Sequence, residues 1–327
     1  MSADVYEGRD GWLFLSGALA TLYDRNGSRL PDARLGDWVA LVEARAERLE
    51  KLGIQYVHMP APEKLTIYDN KLHHPIVNWR LSPALRLGEL LQRSPYAHVW
   101  LDIIPALRAA RDQSQLYGRT DSHWHAEGAF VAYKLLCERI GLSPDLELLS
   151  RNHLDYHAVF DLGARMTPPL REWFKMYNFT KNATRYYRNS IAQYLESVTG
   201  KPATFGGSHV AFRNRKVSAA NNKKILIFGD SFCSQGVESL TGMLAETARE
   251  VEFIWSYDLD WIYIERARPD VVIYEMAERS MAYVPRDDFS LRWLFWKRGL
   301  QLEWLQWKAR LQLGAFGRRA ADAAPTT

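Results

Sequence analysis

Apolar residues along this chain fall into two alternating patterns. At helical spacing they predict amphipathic helices over residues 35–52, 83–92, 105–113, 127–140 and 236–249. As short, mostly apolar runs they predict buried strands over residues 54–59, 99–103, 224–228, 251–255 and 270–274, the first of which is expected to stop at Pro60. Helices that alternate with buried strands are typical of a largely parallel sheet with helices on its faces. The pattern therefore predicts an α/β fold.

One long segment interrupts this alternation. Residues 143–222 are rich in aromatic, Arg and Asn residues and show little periodicity. We interpret them as a long central insertion, or a cap over the sheet edge, within a domain of residues 1–290. Long segments of this kind in compact proteins often carry function, so this one is a candidate substrate-facing region.

The C-terminal part of the chain has a different composition. Residues 291–316 mix large aromatic residues with basic ones: Trp293, Phe295, Trp296, Trp304 and Trp307 lie among Arg292, Lys297, Arg298, Lys308 and Arg310. We predict an amphipathic helix over residues 291–318. It could pack across the sheet, lie on an anionic membrane surface, or dock a partner protein. Residues 319–327 read as a disordered tail.

Composition narrows the class of protein. The chain of 327 residues is 47% hydrophobic and 24% charged, as expected of a packed globular protein. Its formal net charge is only +4 and it has no dense Lys/Arg block, which argues against nucleic-acid binding. Cys137 and Cys233 do not form a disulfide framework. Because the N-terminus lacks the pattern of a secretory signal, we expect a cytoplasmic protein that could be membrane-peripheral.

A serine follows one of the predicted strands. The apolar run 224–228 ends in Gly229, Asp230 and Ser231, so Ser231 should lie at the carboxyl end of a central strand, where open α/β sheets bind ligands. If a helix began just after Ser231, its free N–H groups would face an oxyanion. The same triplet can also be a plain turn followed by a helix cap.

A candidate base and its partner lie about a hundred residues earlier. A serine hydroxyl needs a base, and that base needs an orienting group. Asp121 and His123 are two residues apart, so they share one side of an extended segment. The two motifs together predict a Ser231, His123 and Asp121 catalytic triad.

Asp121, His123 and His125 could instead converge on a metal ion, because alternate residues of a strand face one way. The sequence has no second ligand cluster, and a metal site would leave the serine motif unexplained. We therefore predict no metal.

Four further residues are candidates for substrate binding. Asp230 and Trp124 adjoin the triad within the two motifs. Lys64 follows the first strand, where it could reach the same sheet edge or remain a solvated loop lysine. Arg279 follows the last strand, where it could bind substrate hydroxyls or form an ion pair.

Three motifs in this order resemble the SGNH-hydrolase-like domain of the alginate O-acetyltransferase family. They are EGRDGWLF at residues 7–14, the Asp-x-His-Trp of residues 121–124 and the Gly-Asp-Ser-Phe of residues 229–232, and the resemblance spans roughly residues 6–279. It implies an SGNH-like, flavodoxin-like three-layer core. It also implies that Ser231 is the nucleophile, His123 the base and Asp121 its partner.

The resemblance implies O-acyl transfer, most simply acetyl transfer, to a hydroxyl of a polysaccharide or its precursor through an acyl-serine. No tightly bound cofactor is expected, and the acyl donor is open between acetyl-CoA and a membrane acyl carrier. Family relatives are periplasmic, whereas we see neither a secretion signal nor a C-terminal carbohydrate-binding β-domain here, so we expect a glycan other than alginate. Two alternatives remain: a carbohydrate esterase with the same triad, and a non-catalytic glycan-binding or scaffold subunit.

Overall fold

A computed structural model of the chain describes residues 5–17, 32–74, 78–199, 206–234, 236–288, 290, 292–294 and 296–297. The strands are β1 (Val5–Glu7), β2 (Leu13–Leu15), β3 (Gln55–Ala61), β4 (His153–Val159), β5 (Arg171–Tyr177), β6 (Thr184–Arg188), β7 (His209–Arg213), β8 (Lys224–Gly229), β9 (Glu250–Trp255) and β10 (Val271–Ala277). The helices are α1 (Asp32–Lys51), α2 (Lys64–Ile67), α3 (Pro83–Leu91), α4 (Ile104–Ala110), α5 (Ala126–Ile140), α6 (Ser190–Thr199), α7 (Leu240–Thr247) and α8 (Trp261–Ala267).

Six strands form the central sheet in the order β3-β10-β8-β9-β7-β6. The first four run parallel, β7 runs antiparallel to β9, and β6 runs antiparallel to β7. The apolar run of β8 is completely buried between its two parallel neighbours, as expected of a strand covered on both faces. Helix α1 packs on β3 and α3, whereas α5 packs on α7. The predicted SGNH-like α/β fold class is confirmed.

Two predictions about strands are wrong: one predicted strand does not form, and another ends at a different residue. Residues 99–103 form no strand; Trp100 makes a single bridge to His58, between a short 3-10 turn and the start of α4. Strand β3 does not stop at Pro60 but continues to Ala61. A proline has no N–H to donate, and β3 tolerates one because it lies at the edge of the sheet.

The segment 143–222 divides into two parts. Strands β4 and β5 form a separate antiparallel hairpin, whereas β6 and β7 extend the central sheet. The second part is therefore built into the sheet and does not cover it. The periodicity of the segment is weak because the side chains of β6 are all exposed and those of β4 are mostly exposed.

Little of the predicted C-terminal helix falls within the described residues. Residues 292–294 and 296–297 are helical, and Trp293 and Trp296 are 54% and 64% exposed. The rest of the predicted helix and the predicted tail lie outside the described residues. Among the described helices, none combines the length and the apolar character needed to cross a bilayer.

Candidate active site

The turn after β8 holds Ser231 in a fixed position. The side chain of Asp230 accepts hydrogen bonds from the N–H of Phe232 at 3.0 Å and of Ala277 at 2.8 Å, and from the hydroxyl of Tyr257 at 3.0 Å. Asp230 is 3% exposed. Its carboxylate therefore organises the turn, and the prediction that it contacts substrate finds no support in these contacts.

A second carboxyl group lies beneath the same turn. Glu275 is fully buried, and its Oε2 accepts from the N–H of Asp230 at 3.0 Å and of Cys233 at 3.3 Å. Burial, and then the charge of Asp230, raise the pKa of Glu275 well above its usual value, which favours the neutral acid. A Cβ at Gly229 would lie 2.8 Å from Glu275 Oε2, so the close approach requires glycine there.

The catalytic loop, residues 118–125, brings the other two predicted residues to the serine. His123 Nε2 lies 2.8 Å from Ser231 Oγ, and His123 Nδ1 lies 2.8 Å from Asp121 Oδ1. The N–H of His123 also donates to Asp121 Oδ1 at 3.0 Å. The His123 side chain remains 30% exposed, so a substrate can reach it. The three groups have the contacts that a serine nucleophile, a base and an orienting acid require.

The charges around His123 favour an imidazole that can accept a proton and hold it. Burial alone would lower the pKa of His123, but the hydrogen bond and charge of Asp121 outweigh it and raise the pKa above 6.5, against the opposing charge of Arg279. Burial would likewise raise the pKa of Asp121, but its bonds to His123 lower it to about 2. Asp121 is therefore an anion at neutral pH, suited to stabilise a cationic imidazole.

The predicted metal-ligand set of Asp121, His123 and His125 does not come together: the ligand atoms that lie within 4.8 Å of one another belong to Asp121, His123 and Asp161. Both ring nitrogens of His123 are engaged in hydrogen bonds, one with Asp121 and one with Ser231, which leaves no lone pair directed elsewhere. The ring of His125 lies instead beside the hairpin, with its Nε2 3.7 Å from Glu172 Oε1.

Lys64 is not a solvated loop lysine. It is 2% exposed, and its Nζ donates to the carbonyl oxygens of Gly118 at 2.8 Å, Arg119 at 3.1 Å and Asp121 at 2.6 Å. Burial lowers the pKa of Lys64 to about 7, in spite of nearby carboxylates such as Asp121. The side chain anchors the catalytic loop to the end of β3, which leaves it poorly placed for the predicted contact with substrate.

Trp124 was predicted to bind substrate, but its contacts are structural. It is 8% exposed, and its indole Nε1 donates to the carbonyl of Phe232 at 2.9 Å. The two rings meet edge to face with centroids 5.0 Å apart. Trp124 thus joins the catalytic loop to the turn that carries Ser231.

Arg279 forms the ion pair that was one of its two interpretations. Its Nε lies 2.5 Å from Glu63 Oε1, and its Nη1 donates to Ser122 Oγ at 3.3 Å. The guanidinium carbon also lies 5.5 Å from the centre of the Phe232 ring. Arg279 therefore borders the site as a half-buried cation that is paired with the buried acid Glu63.

The acids that hold the catalytic loop and its neighbours were not predicted from the sequence. Asp161 accepts from the N–H of Ser122 at 2.8 Å and from its hydroxyl at 2.6 Å. Asp161 lies in the segment of weak periodicity, which gave no signal for it. Glu63 directly precedes Lys64. The only sequence signal for a buried acid at this position is the mostly apolar strand that comes before it.

No helix begins directly after Ser231, so the condition for an oxyanion site at a helix end is not met. The chain makes a turn at residues 231–233, with the N–H of Ser234 donating to the carbonyl of Asp230 at 2.9 Å, and α7 begins only at Leu240. The N–H of Ser231 has no acceptor within the part of the chain that the structure describes. It is thus a candidate oxyanion donor in place of a helix end.

Comparisons with known proteins give a consistent family. A family model described as the SGNH hydrolase-like domain of the acetyltransferase AlgX matches residues 5–251. The chain is 28% identical over 151 residues to the probable alginate O-acetylase AlgJ of Pseudomonas syringae pv. tomato, covering 44% of this chain and 35% of that protein. It is 29% identical to the AlgJ protein of Pseudomonas fluorescens, covering 42% and 33%. The match thus spans about a third of the length of these curated relatives.

Solved structures share the fold. Bacillus cereus PatB1 superposes with a TM-score of 0.62 at 12% identity, covering 86% of this chain and 97% of that one. The O-acetyltransferase domain of Pseudomonas putida AlgJ superposes with a TM-score of 0.57 at 17% identity, covering 88% and 96%.

Proposed function

The chain belongs to the family of SGNH hydrolase-like acetyltransferases described for AlgX, and we propose that it transfers an acetyl group to a hydroxyl of a polysaccharide. The single observation that carries the catalytic part of this proposal is the chain of two 2.8 Å contacts from Ser231 through His123 to Asp121. The acceptor class is supported by the names of the AlgJ relatives, which are probable alginate O-acetylases.

The proposed first half-reaction forms an acyl-enzyme. His123 Nε2 takes the proton of Ser231 Oγ as the oxygen attacks the carbonyl of an acetyl ester or thioester donor. The N–H of Ser231 would stabilise the oxyanion that forms. His123 then gives its proton to the leaving group, and the bond between acyl group and donor breaks.

The second half-reaction releases the product. A sugar hydroxyl loses its proton to His123 Nε2 and attacks the acetyl carbonyl, and Ser231 Oγ leaves and takes the proton back. Asp121 holds the ring in the tautomer that keeps Nε2 free, and its negative charge stabilises the imidazolium in both steps.

The experiment that tests this proposal follows acetyl groups from p-nitrophenyl acetate. Transfer predicts that an oligosaccharide accelerates turnover and becomes acetylated, and that Ser231→Ala removes both effects. Release of acetate at an unchanged rate, with no acetylated sugar, would instead establish the esterase alternative. No Ser231-dependent reaction would favour the non-catalytic glycan-binding subunit.

A further inference from the structure

The hairpin of β4 and β5 is fixed to the catalytic loop. Asp161, in the connection after β4, holds both the N–H and the hydroxyl of Ser122. From β5, Glu172 Oε2 accepts the N–H of Arg119 at 2.8 Å. A Cβ at Gly118 would lie 2.5 Å from Glu172 Oε1, so the two elements touch closely. The hairpin therefore has a defined position relative to the catalytic loop.

A line of aromatic rings runs from the catalytic loop across one face of this hairpin. The ring of His125 lies 6.5 Å from that of Phe160, which lies 4.9 Å from Phe174, which lies 5.8 Å from Tyr156. Tyr156 and Phe174 are directly paired across the two strands. Tyr156 is 44% exposed, and Phe160 and Phe174 are half-buried. We call these four residues the aromatic row.

The chemistry of the row suits sugar rings. A pyranose presents an apolar face of C–H groups that packs on an aromatic ring, while its hydroxyls at the rim stay hydrated. Exposed aromatic side chains in a continuous group mark binding surfaces. A stable protein partner would need roughly 800 Å² of surface on this side, whereas a row one ring wide matches a single extended chain.

From this continuity with the catalytic loop we propose that the aromatic row is the binding site for the acceptor polysaccharide. The sugar rings of the polysaccharide lie along Tyr156, Phe174 and Phe160, and one of its hydroxyls reaches the acyl group on Ser231. This inference rests on the proposed function and adds to it the place where the acceptor binds.

The hairpin provides a matched control on its other face. Trp173 is 67% exposed and stacks on His157 with ring centroids 4.7 Å apart. Because neighbouring residues of a strand point to opposite faces, Trp173 and His157 lie on the face away from Tyr156 and Phe174. Trp173→Ala thus removes an exposed aromatic ring from the same hairpin without touching the row.

The test compares Tyr156→Ala with Trp173→Ala, using p-nitrophenyl acetate as donor and mannuronate hexasaccharide or cellohexaose as acceptor. Tyr156→Ala should raise the KM for the hexasaccharide by about fivefold to tenfold. Its hydrolysis of the donor alone, and its transfer to the methyl glycoside of the same sugar, should stay within about twofold of the parent values. Trp173→Ala should match the parent protein in all three assays. A thermal unfolding midpoint equal to that of the parent shows that each variant is folded.

Two results would overturn the inference and leave the proposed function in place: an unchanged hexasaccharide KM in Tyr156→Ala, or an equal rise in Trp173→Ala. Either result would show that the aromatic row binds a different ligand or only stabilises the fold. If the parent protein acetylates neither hexasaccharide, the proposed transfer itself fails, and the acceptor site fails with it.

Discussion

At the scale of single residues, His123 links the two halves of the proposed chemistry. Its ring contacts Ser231 through one nitrogen and Asp121 through the other, so its protonation state decides whether the serine can react. Burial lowers the pKa of this ring, but the hydrogen bond and charge of Asp121 outweigh burial and raise the pKa, while the charge of Arg279 opposes the rise. The opposing effects of Asp121 and Arg279 on the pKa of His123 should therefore be visible in the pH dependence of the reaction.

Replacement of Asp121 tests this balance. In the parent protein the rate should fall as the pH drops through a His123 pKa above 6.5, because the protonated ring cannot act as a base. In Asp121→Asn the pKa falls, since burial and Arg279 then act without the anion. We expect the acid limb of kcat/KM to move to lower pH and the maximal rate to drop by about 10²- to 10⁴-fold.

The exposed Asp112→Asn change, at a side chain that is 78% exposed, serves as the control and should leave the profile unchanged. An acid limb that keeps its position in Asp121→Asn would contradict the assigned role of the carboxylate.

The triad residues were predictable from sequence because each lies in a short motif whose spacing has a chemical meaning. Ser231 follows a buried strand, and Asp121 and His123 share one side of an extended segment. The acid that holds Ser122 was not predictable, because Asp161 lies far along the chain in a segment without periodicity. Its role depends on a tertiary contact that no local pattern encodes.

At the scale of elements, the short helix α2 positions the catalytic loop. Lys64 at its start donates to three carbonyl oxygens of that loop, one of which belongs to Asp121. A buried ammonium group with three acceptors constrains the backbone more than any single hydrogen bond would. Small displacements of catalytic groups are costly in rate.

Removal of this ammonium group should lower the rate without unfolding the protein. Lys64→Met retains most of the side-chain volume but releases the three carbonyls, so we expect kcat for p-nitrophenyl acetate to fall by about 10- to 100-fold. Lys71→Met, which removes the lysine that pairs with Asp10 at the surface, should leave kcat within about twofold. Equal activity of Lys64→Met and the parent would show that the loop holds its position without this anchor.

Sequence patterns identified most elements of the parallel half of the sheet but not the antiparallel edge. Strands β8, β9 and β10 consist mostly of buried apolar residues, which makes them visible in the sequence. The side chains of β6 are all exposed, so its pairing with β7 depends on backbone hydrogen bonds that leave no hydrophobic period. The predicted strand at residues 99–103 failed for the opposite reason, since apolar residues there pack in the core and pair with the sheet only through the single bridge of Trp100 to His58.

At the scale of the whole molecule, a buried ion pair joins helix α1 to the segment that follows β10. Arg45 of α1 is 0% exposed and donates to both carboxylate oxygens of Asp287, at 2.8 and 2.7 Å. It also donates to the carbonyl of Tyr257 at 2.9 Å, and its guanidinium lies 4.2 Å from the ring centre of Tyr274. Tyr257 in turn donates to Asp230 beside the nucleophile.

Loss of one partner of this pair should destabilise the fold strongly. Asp287→Asn leaves the guanidinium of Arg45 buried without its counter-charge, which costs about 3–5 kcal/mol. Chemical denaturation should show this as a lower midpoint. The exposed pair of Arg48 on α1 and Glu265 on α8 is the control, and Glu265→Gln should change the unfolding free energy by less than about 1 kcal/mol. Equal effects of the two changes would contradict the importance given to burial.

The most direct test of the proposed triad is to map the adduct of a serine-directed phosphonate by peptide mass spectrometry. Because His123 activates Ser231 through their 2.8 Å contact, we predict a single adduct on Ser231 that forms at least about 100-fold more slowly in His123→Ala. An adduct on another residue, or labelling of Ser231 at the same rate in His123→Ala, would contradict the triad and the acyl-serine mechanism built on it.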